Sequence, residues 1–179
     1  MKNIYNNLDK LYSATEINNR VKELGSEISR KFEKKDPIFI GVLNGSFIFM
    51  ADLLRSLSIE CEMDFIKVRS YSRKRSTGTI QLLKDISADV KDRNIILVED
   101  IVDTGLTIKF LRERLFGSSP KSISIVTLLY KPSVVKIDFD IDYIGFEIPQ
   151  EYVVGYGLDY EQKMRHLDSI YKIKNDLID

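Results

Sequence analysis

The sequence predicts an α/β fold built on a central, mainly parallel sheet flanked by helices, and three observations carry that reading. Short Ile/Val/Leu-rich runs alternate with amphipathic stretches through the middle of the chain. Such runs give way to turns of small or acidic residues, and an amphipathic or apolar helix pattern follows. In the C-terminal third, strand-like segments follow one another quickly, which reads as an appended subdomain or hood.

Near the start, Ser13-Ala14-Thr15-Glu16 has capping-box spacing, and Ile17, Val21, Leu24, Ile28 and Phe32 follow at helical intervals. Residues 37–43 read as a buried strand, Asn44-Gly45-Ser46 as a turn, and 47–54 as a strongly apolar helix. Ile59, Cys61, Met63 and Phe65 alternate with Glu60, Glu62 and Asp64, the period of a half-buried strand. Residues 69–79 lack an apolar pattern and read as a long loop, with Gln81-Leu82-Leu83 as its return strand. Residues 95–98 form another buried strand. Ile108, Leu111 and Leu115 then mark a helix ending near Gly117. Residues 123–129 are a further buried strand, and shorter strands are expected at 142–146, 152–155 and 169–173.

Composition narrows the functional classes. With 179 residues, 44% hydrophobic and 30% charged, the chain is expected to form a single domain over 1–179 with a real core. Lys+Arg and Asp+Glu both number 27, so no global charge draws it to nucleic acid or to an anionic membrane. Any anion site must be local. The single Cys61 excludes an intrachain disulfide framework, and the single His166 excludes a multi-His metal site. No apolar run approaches the roughly 20 residues a spanning helix needs, and residues 1–12 lack the apolar core of a leader. The expectation is a cytoplasmic protein without nucleic-acid or membrane partners.

The chemistry concentrates in residues 95–107. Four aliphatic residues lead into Glu99-Asp100, a third acid follows at Asp103, and Thr104-Gly105-Leu106-Thr107 opens a helix. In open α/β sheets, ligands sit at the carboxyl ends of strands. Backbone N–H groups at a helix start receive phosphate, and carboxylates can take sugar hydroxyls, a proton or a Mg²⁺ complex.

This stretch resembles the phosphoribosyl pyrophosphate (PRPP) motif of type I phosphoribosyltransferases. Further matches narrow the resemblance to the hypoxanthine-guanine phosphoribosyltransferases. The resemblance implies the type I phosphoribosyltransferase fold, with a small hood from the N- and C-terminal segments. Glu99 and Asp100 would hold the ribose hydroxyls, and Asp103, Thr104, Gly105, Leu106 and Thr107 the 5′-phosphate. Asp103 would also approach purine N7 as general acid/base. Asn44, Gly45 and Ser46 resemble the pyrophosphate loop. Asn44 and Leu106 stand where relatives carry Lys, so backbone amides become the main anion ligands at both places. Ser70 and Tyr71 resemble the start of a mobile lid within the basic run 67–75, whose closure would exclude water from a ribosyl cation.

Lys131 matches the donor to O6 that selects 6-oxopurines over adenine. Tyr152 matches the ring that stacks on the base, and Val153 the backbone that reads its edge. Asp159 matches a Mg²⁺ carboxylate, with Glu99 and Asp100 as further candidates, and Arg165 a pyrophosphate contact. Implied partners are PRPP, hypoxanthine, guanine, pyrophosphate and Mg²⁺, in a homodimer or homotetramer. Selection against xanthine is unassigned, because no residue is placed at purine C2. A regulator using the basic run on RNA, another PRPP user and a purely structural module are the competing readings.

Overall fold

A computed structural model of the chain describes residues 7–71 and 79–174. Six strands form the central sheet: β2 (Ile38–Leu43), β3 (Glu62–Tyr71), β4 (Thr79–Lys84), β5 (Asn94–Val102), β6 (Ser122–Tyr130) and β7 (Tyr143–Glu147). Their order is β4-β3-β2-β5-β6-β7. Every neighbouring pair is parallel except β3 with β4. Three helices pack on it, α1 (Ala14–Lys31), α2 (Phe47–Ser56) and α3 (Leu106–Phe116).

Both faces of the sheet are covered, which is why its strands are hydrophobic throughout rather than alternating. Phe39, Ile96, Val98 and Leu128 face α1 and α2, where Ile17, Val21, Leu24, Phe49 and Leu53 complete the cluster. Ile38, Ile40, Ile95 and Leu97 face α3 through Ile108, Leu111 and Leu115. The capping box is present: the Glu16 amide donates to Ser13 Oγ at 3.3 Å and the Ser13 amide to Glu16 Oε2 at 2.9 Å. Such a cap contributes about 1 kcal/mol to the helix.

The hood is a separate antiparallel sheet, ordered β1-β9-β8, from β1 (Leu8–Tyr12), β8 (Val153–Val154) and β9 (Ile170–Ile173). It joins the two ends of the described chain, and Val154, Met164 and Ile173 form its own small core. Among the described residues, no helix is long and apolar enough to cross a membrane.

Four expectations are corrected. The strand expected from Ile59 begins at Glu62, and Met63, expected inside, is 47% exposed while Ile66 is fully buried. Phe65 packs toward α1 and α2 and Ile66 toward α3, so β3 is covered on both sides rather than half-buried. The loop expected from residue 69 is strand as far as Tyr71 and again from Thr79, as an antiparallel ribbon. Its centre, 72–78, lies outside the described residues, as do the side chains of Ser70 and Tyr71. Finally, β5 does not end at its acids but runs on to Val102, with Glu99 paired opposite Thr127. Cys61 packs against the core beside the α1/α2 cluster, and burial pushes its thiol pKa up, as suits an unreactive residue.

Candidate active site

The strand order reverses direction between β2 and β5: from β2 the chain moves outward to β3, from β5 outward to β6. Ligand crevices open at such switch points. Here the β2 end supplies the turn 44–46, the β5 end Glu99, Asp100 and Asp103, and the β6 end Lys131. The hood closes the crevice from above with Tyr152, Val153, Asp159 and Arg165. Two adjoining cavities result. One, about 240 Å³, is lined by Ile101, Asp103, Lys131, Tyr152, Val153 and Leu158. The other, about 190 Å³, is lined by Asn44, Gly45, Glu99, Thr107 and Arg165. Asp100 and Asp159 line both and form the wall between them. A roomier cavity, about 530 Å³, opens elsewhere between α1, α2 and the hood, and none of the acids at the β5 end lines it.

In the first cavity Lys131 is 6% exposed, and its Nζ lies 3.1 Å from Asp103 Oδ2. A buried ammonium needs such a partner. The pair presents a donor and an acceptor side by side, the complement of a carbonyl next to a ring nitrogen. Tyr152 is 49% exposed, its ring edge-on to Tyr160 with centroids 6.1 Å apart, so one face is open to stack on a planar ligand.

In the second cavity the carboxylates are not settled. Glu99 is buried and its Oε2 has no hydrogen-bond partner. Burial, with Asp100 next to it, raises its pKa well above the usual range. Burial also lifts Asp100 to about 6, against the opposing effect of backbone amides and the Arg165 charge. Arg165 Nη2 lies 2.7 Å from Asp159 Oδ1, and Nη1 donates to the Gly157 carbonyl at 2.8 Å.

The turn after β2 packs directly on these acids. A Cβ on Gly45 would fall 1.6 Å from Asp100 Oδ2, so only glycine fits there. Ser46 is turned away: fully buried, its hydroxyl donates to the Val42 carbonyl at 2.7 Å and its amide to the same oxygen at 3.3 Å. This corrects the expectation that Ser46 faces an anion; Asn44 and Gly45 line the cavity.

The turn 103–107 leads into α3 through Gly105 at φ +83°, which offers no side-chain cap, and the Leu106 amide donates to Thr104 Oγ1 at 3.4 Å. Its first-turn amides are the donors a phosphate takes. Thr107 lines the polar cavity, whereas the Leu106 side chain is 48% exposed. The segment after Lys131 buttresses this turn. The Lys136 amide donates to the Thr104 carbonyl at 3.0 Å, and Ile137 Cγ2 sits where a Cβ on Gly105 would be, 2.4 Å away.

Sequence reasoning missed Glu151, which lines the first cavity and pairs with Lys172 on β9. Nothing in its neighbourhood signals that, because the pairing follows from β8–β9 register. Among the described residues no three His, Cys, Asp or Glu side chains converge as a ready-made metal site.

Comparison with known proteins gives a consistent outcome. The family described as "Phosphoribosyl transferase domain" matches residues 7–161. The chain is 45% identical over 165 residues to a hypoxanthine-guanine phosphoribosyltransferase of Bacillus subtilis (strain 168), covering 92% of each. It is 43% identical to a hypoxanthine phosphoribosyltransferase of Escherichia coli (strain K12), covering 88% of this chain and 90% of that one. Among solved structures, a hypoxanthine phosphoribosyltransferase from Staphylococcus aureus superposes with a TM-score of 0.93 at 36% identity over all of both chains. One from Trypanosoma cruzi, in complex with the product IMP, gives 0.86 at 34% identity, covering 94% of this chain and 95% of that one.

Proposed function

Because the chain belongs to the phosphoribosyl transferase family, we propose that its two cavities divide one reaction between them, purine in the first and diphosphate in the second. The chain is a purine salvage transferase. It moves the 5-phosphoribosyl group from PRPP to N9 of hypoxanthine or guanine, giving IMP or GMP and releasing pyrophosphate. The bond from ribose C1′ to the diphosphate oxygen breaks, the bond from C1′ to N9 forms, and the purine gives up one ring proton.

The observation that carries this reading is the Lys131–Asp103 pair beside the open face of Tyr152. Lys131 donates to purine O6 and Asp103 takes the ring proton at N7, so a 6-oxopurine meets donor with acceptor. Adenine would set its amino group against the ammonium, two donors facing each other. Tyr152 stacks on the base, and the Val153 backbone reads its edge. Glu99 and Asp100 hold the ribose hydroxyls, which keeps C1′ in line between N9 and the leaving group. The amides of 104–107 hold the 5′-phosphate, Leu106 contributing only its backbone. Asn44, Gly45 and Arg165 hold the departing pyrophosphate. Ser70 and Tyr71 begin the lid over it.

The acids also fit a divalent cation. Glu99 carries an orphaned buried oxygen and Asp100 a raised pKa, both of which a nearby positive charge would relieve. With no three-carboxylate cage among the described residues, Asp159, Asp100 and Glu99 would supply few ligands to Mg²⁺, and PRPP oxygens and water the rest. Bound there, Mg²⁺ neutralises charge on the diphosphate. The protein works as a single cytoplasmic domain, expected to assemble as a homodimer or homotetramer, which light scattering measures.

Initial rates with PRPP and Mg²⁺ against hypoxanthine, guanine, xanthine and adenine test the reading. Nucleotide from hypoxanthine and guanine, and none from adenine, supports the reaction and the role of Lys131. Adenine turnover matching hypoxanthine would overturn that role, and no nucleotide from any base would overturn the reading itself.

A further inference from the structure

The hood meets the β2–α2 turn closely where Gly157 lies against Gly45. A Cβ on Gly157 would fall 2.1 Å from the Gly45 carbonyl oxygen. Gly157 also donates its amide to the Arg165 carbonyl at 2.9 Å and accepts from the Arg165 guanidinium at 2.8 Å. Whatever sets the position of Gly157 therefore sets how Gly45 and Arg165 face each other across the diphosphate cavity.

The residue before it, Tyr156, has φ +50° between two glycines that are also in the positive-φ region. A bulky side chain costs of its own accord in that conformation and stays there only when its surroundings hold it. Two bonds do so. The Tyr156 amide donates to the Leu167 carbonyl at 2.8 Å, and its hydroxyl donates to Asp52 Oδ2 at 2.6 Å. The other oxygen of Asp52 pairs with Arg55, so this carboxylate has both oxygens engaged. Asp52 lies on α2, the helix that grows directly out of the Gly45 turn. Tyr156 is 6% exposed, and its hydroxyl proton is held more tightly than in free tyrosine, by burial and by Asp52. Neither Tyr156 nor Asp52 lines either half of the cleft.

We propose that the Tyr156–Asp52 hydrogen bond is a latch between the hood and α2 that positions Gly45 and Arg165 for the diphosphate, and leaves the purine half untouched. Both are positioning residues, since neither touches substrate. The inference rests on the division of the cleft proposed above.

The test is steady-state kinetics of Tyr156→Phe, which keeps the ring and removes only the hydroxyl, beside Asp52→Ala, Asp52→Asn and the double variant Tyr156→Phe/Asp52→Ala. The expected result is a rise of about tenfold in KM for PRPP in Tyr156→Phe, and for pyrophosphate in the reverse direction, with KM for hypoxanthine and kcat within about twofold. Asp52→Ala should match it, the double variant should be no worse than either single one, and Asp52→Asn, which keeps an acceptor, should recover most of the loss. Equal rises in KM for both substrates, additive single effects, or a lowered melting temperature with KM for PRPP unchanged would each overturn the latch while the reading of the reaction stands. A wild-type protein that forms no nucleotide and binds no PRPP would overturn both.

Discussion

Glu99 and Lys131 sit on opposite sides of the Asp100–Asp159 wall, and both are 6% exposed. Lys131 has a partner in Asp103 at 3.1 Å, whereas Glu99 has an oxygen with none. Equal burial with unequal satisfaction makes the two halves of the cleft different objects. A buried ionised group without a partner costs several kcal/mol, so it keeps its proton instead. The half proposed to take the purine thus has its donor and acceptor already paired with each other, Lys131 with Asp103. On the other side, burial disfavours the charge of Glu99, and Asp100 is lifted to about 6, so a nearby cation would favour the ionised form of both.

The most drastic way to break the purine half is Asp103→Asn. It removes the proton acceptor and the charge that settles Lys131, and kcat should fall by about 10²–10⁴-fold. Near-normal turnover in that variant would rule out Asp103 as the general acid/base. Next, Lys131→Met should lower kcat/KM for hypoxanthine by roughly 10²-fold, as expected when an oxygen of the base is left without its donor. Measured against adenine in parallel, the preference should narrow; an unchanged ratio would place the selection elsewhere.

Asp64 sharpens the comparison from outside the cleft, as an acid whose charge is fully met. Burial alone would raise its carboxyl, but the amides of Ser87, Ala88 and Phe65 and the Lys84 ammonium outweigh that and hold it at about 2. A folded-state pKa below the unfolded value of about 3.9 gives stability that is present above pH 4 and lost as pH falls toward 2. Asp64→Asn should remove about 2 kcal/mol of it at neutral pH, and the variant's melting temperature should decline less steeply than wild type between pH 4 and 2. Parallel declines would mean that the amides do not discriminate the charged form.

The smallest effect, and the opposite sign, is expected at Glu99. Glu99→Gln replaces an orphaned carboxylate by a neutral amide of the same shape. The melting temperature of the unliganded protein at pH 7.5 should rise by about 2–4 °C while PRPP binding weakens. A fall in melting temperature would show that ionised Glu99 has a partner after all.

How much of this was legible in the sequence follows from how local each cause is. The β2 and β5 strands, the acids at the β5 end and the α3 start all announce themselves within a dozen residues, because period and turn chemistry are local. The Asp103–Lys131 pair spans 28 residues and exists only because β5 and β6 lie side by side in register. Each residue was a candidate alone; that they bond to each other was not. β1 lies in a polar segment that becomes a strand only because β9 offers it an edge. Met63 and Ile66 follow which layers cover β3, a property of the assembled sheet. Ser46 was expected at the anion because its turn resembles a pyrophosphate loop, yet both its amide and its hydroxyl are aimed back at the Val42 carbonyl.

Residues 131–137 begin with the Lys131 donor and end with Ile137 braced against Gly105, by way of the Lys136–Thr104 bond. A single turn therefore carries both the proposed donor to the base and the brace on the proposed phosphate loop. Lengthening it to admit a larger base would shift the grip on the ribose 5-phosphate in the same stroke. A changed base preference in this scaffold would accordingly call for exchanged side chains at fixed length rather than for insertions between 131 and 137.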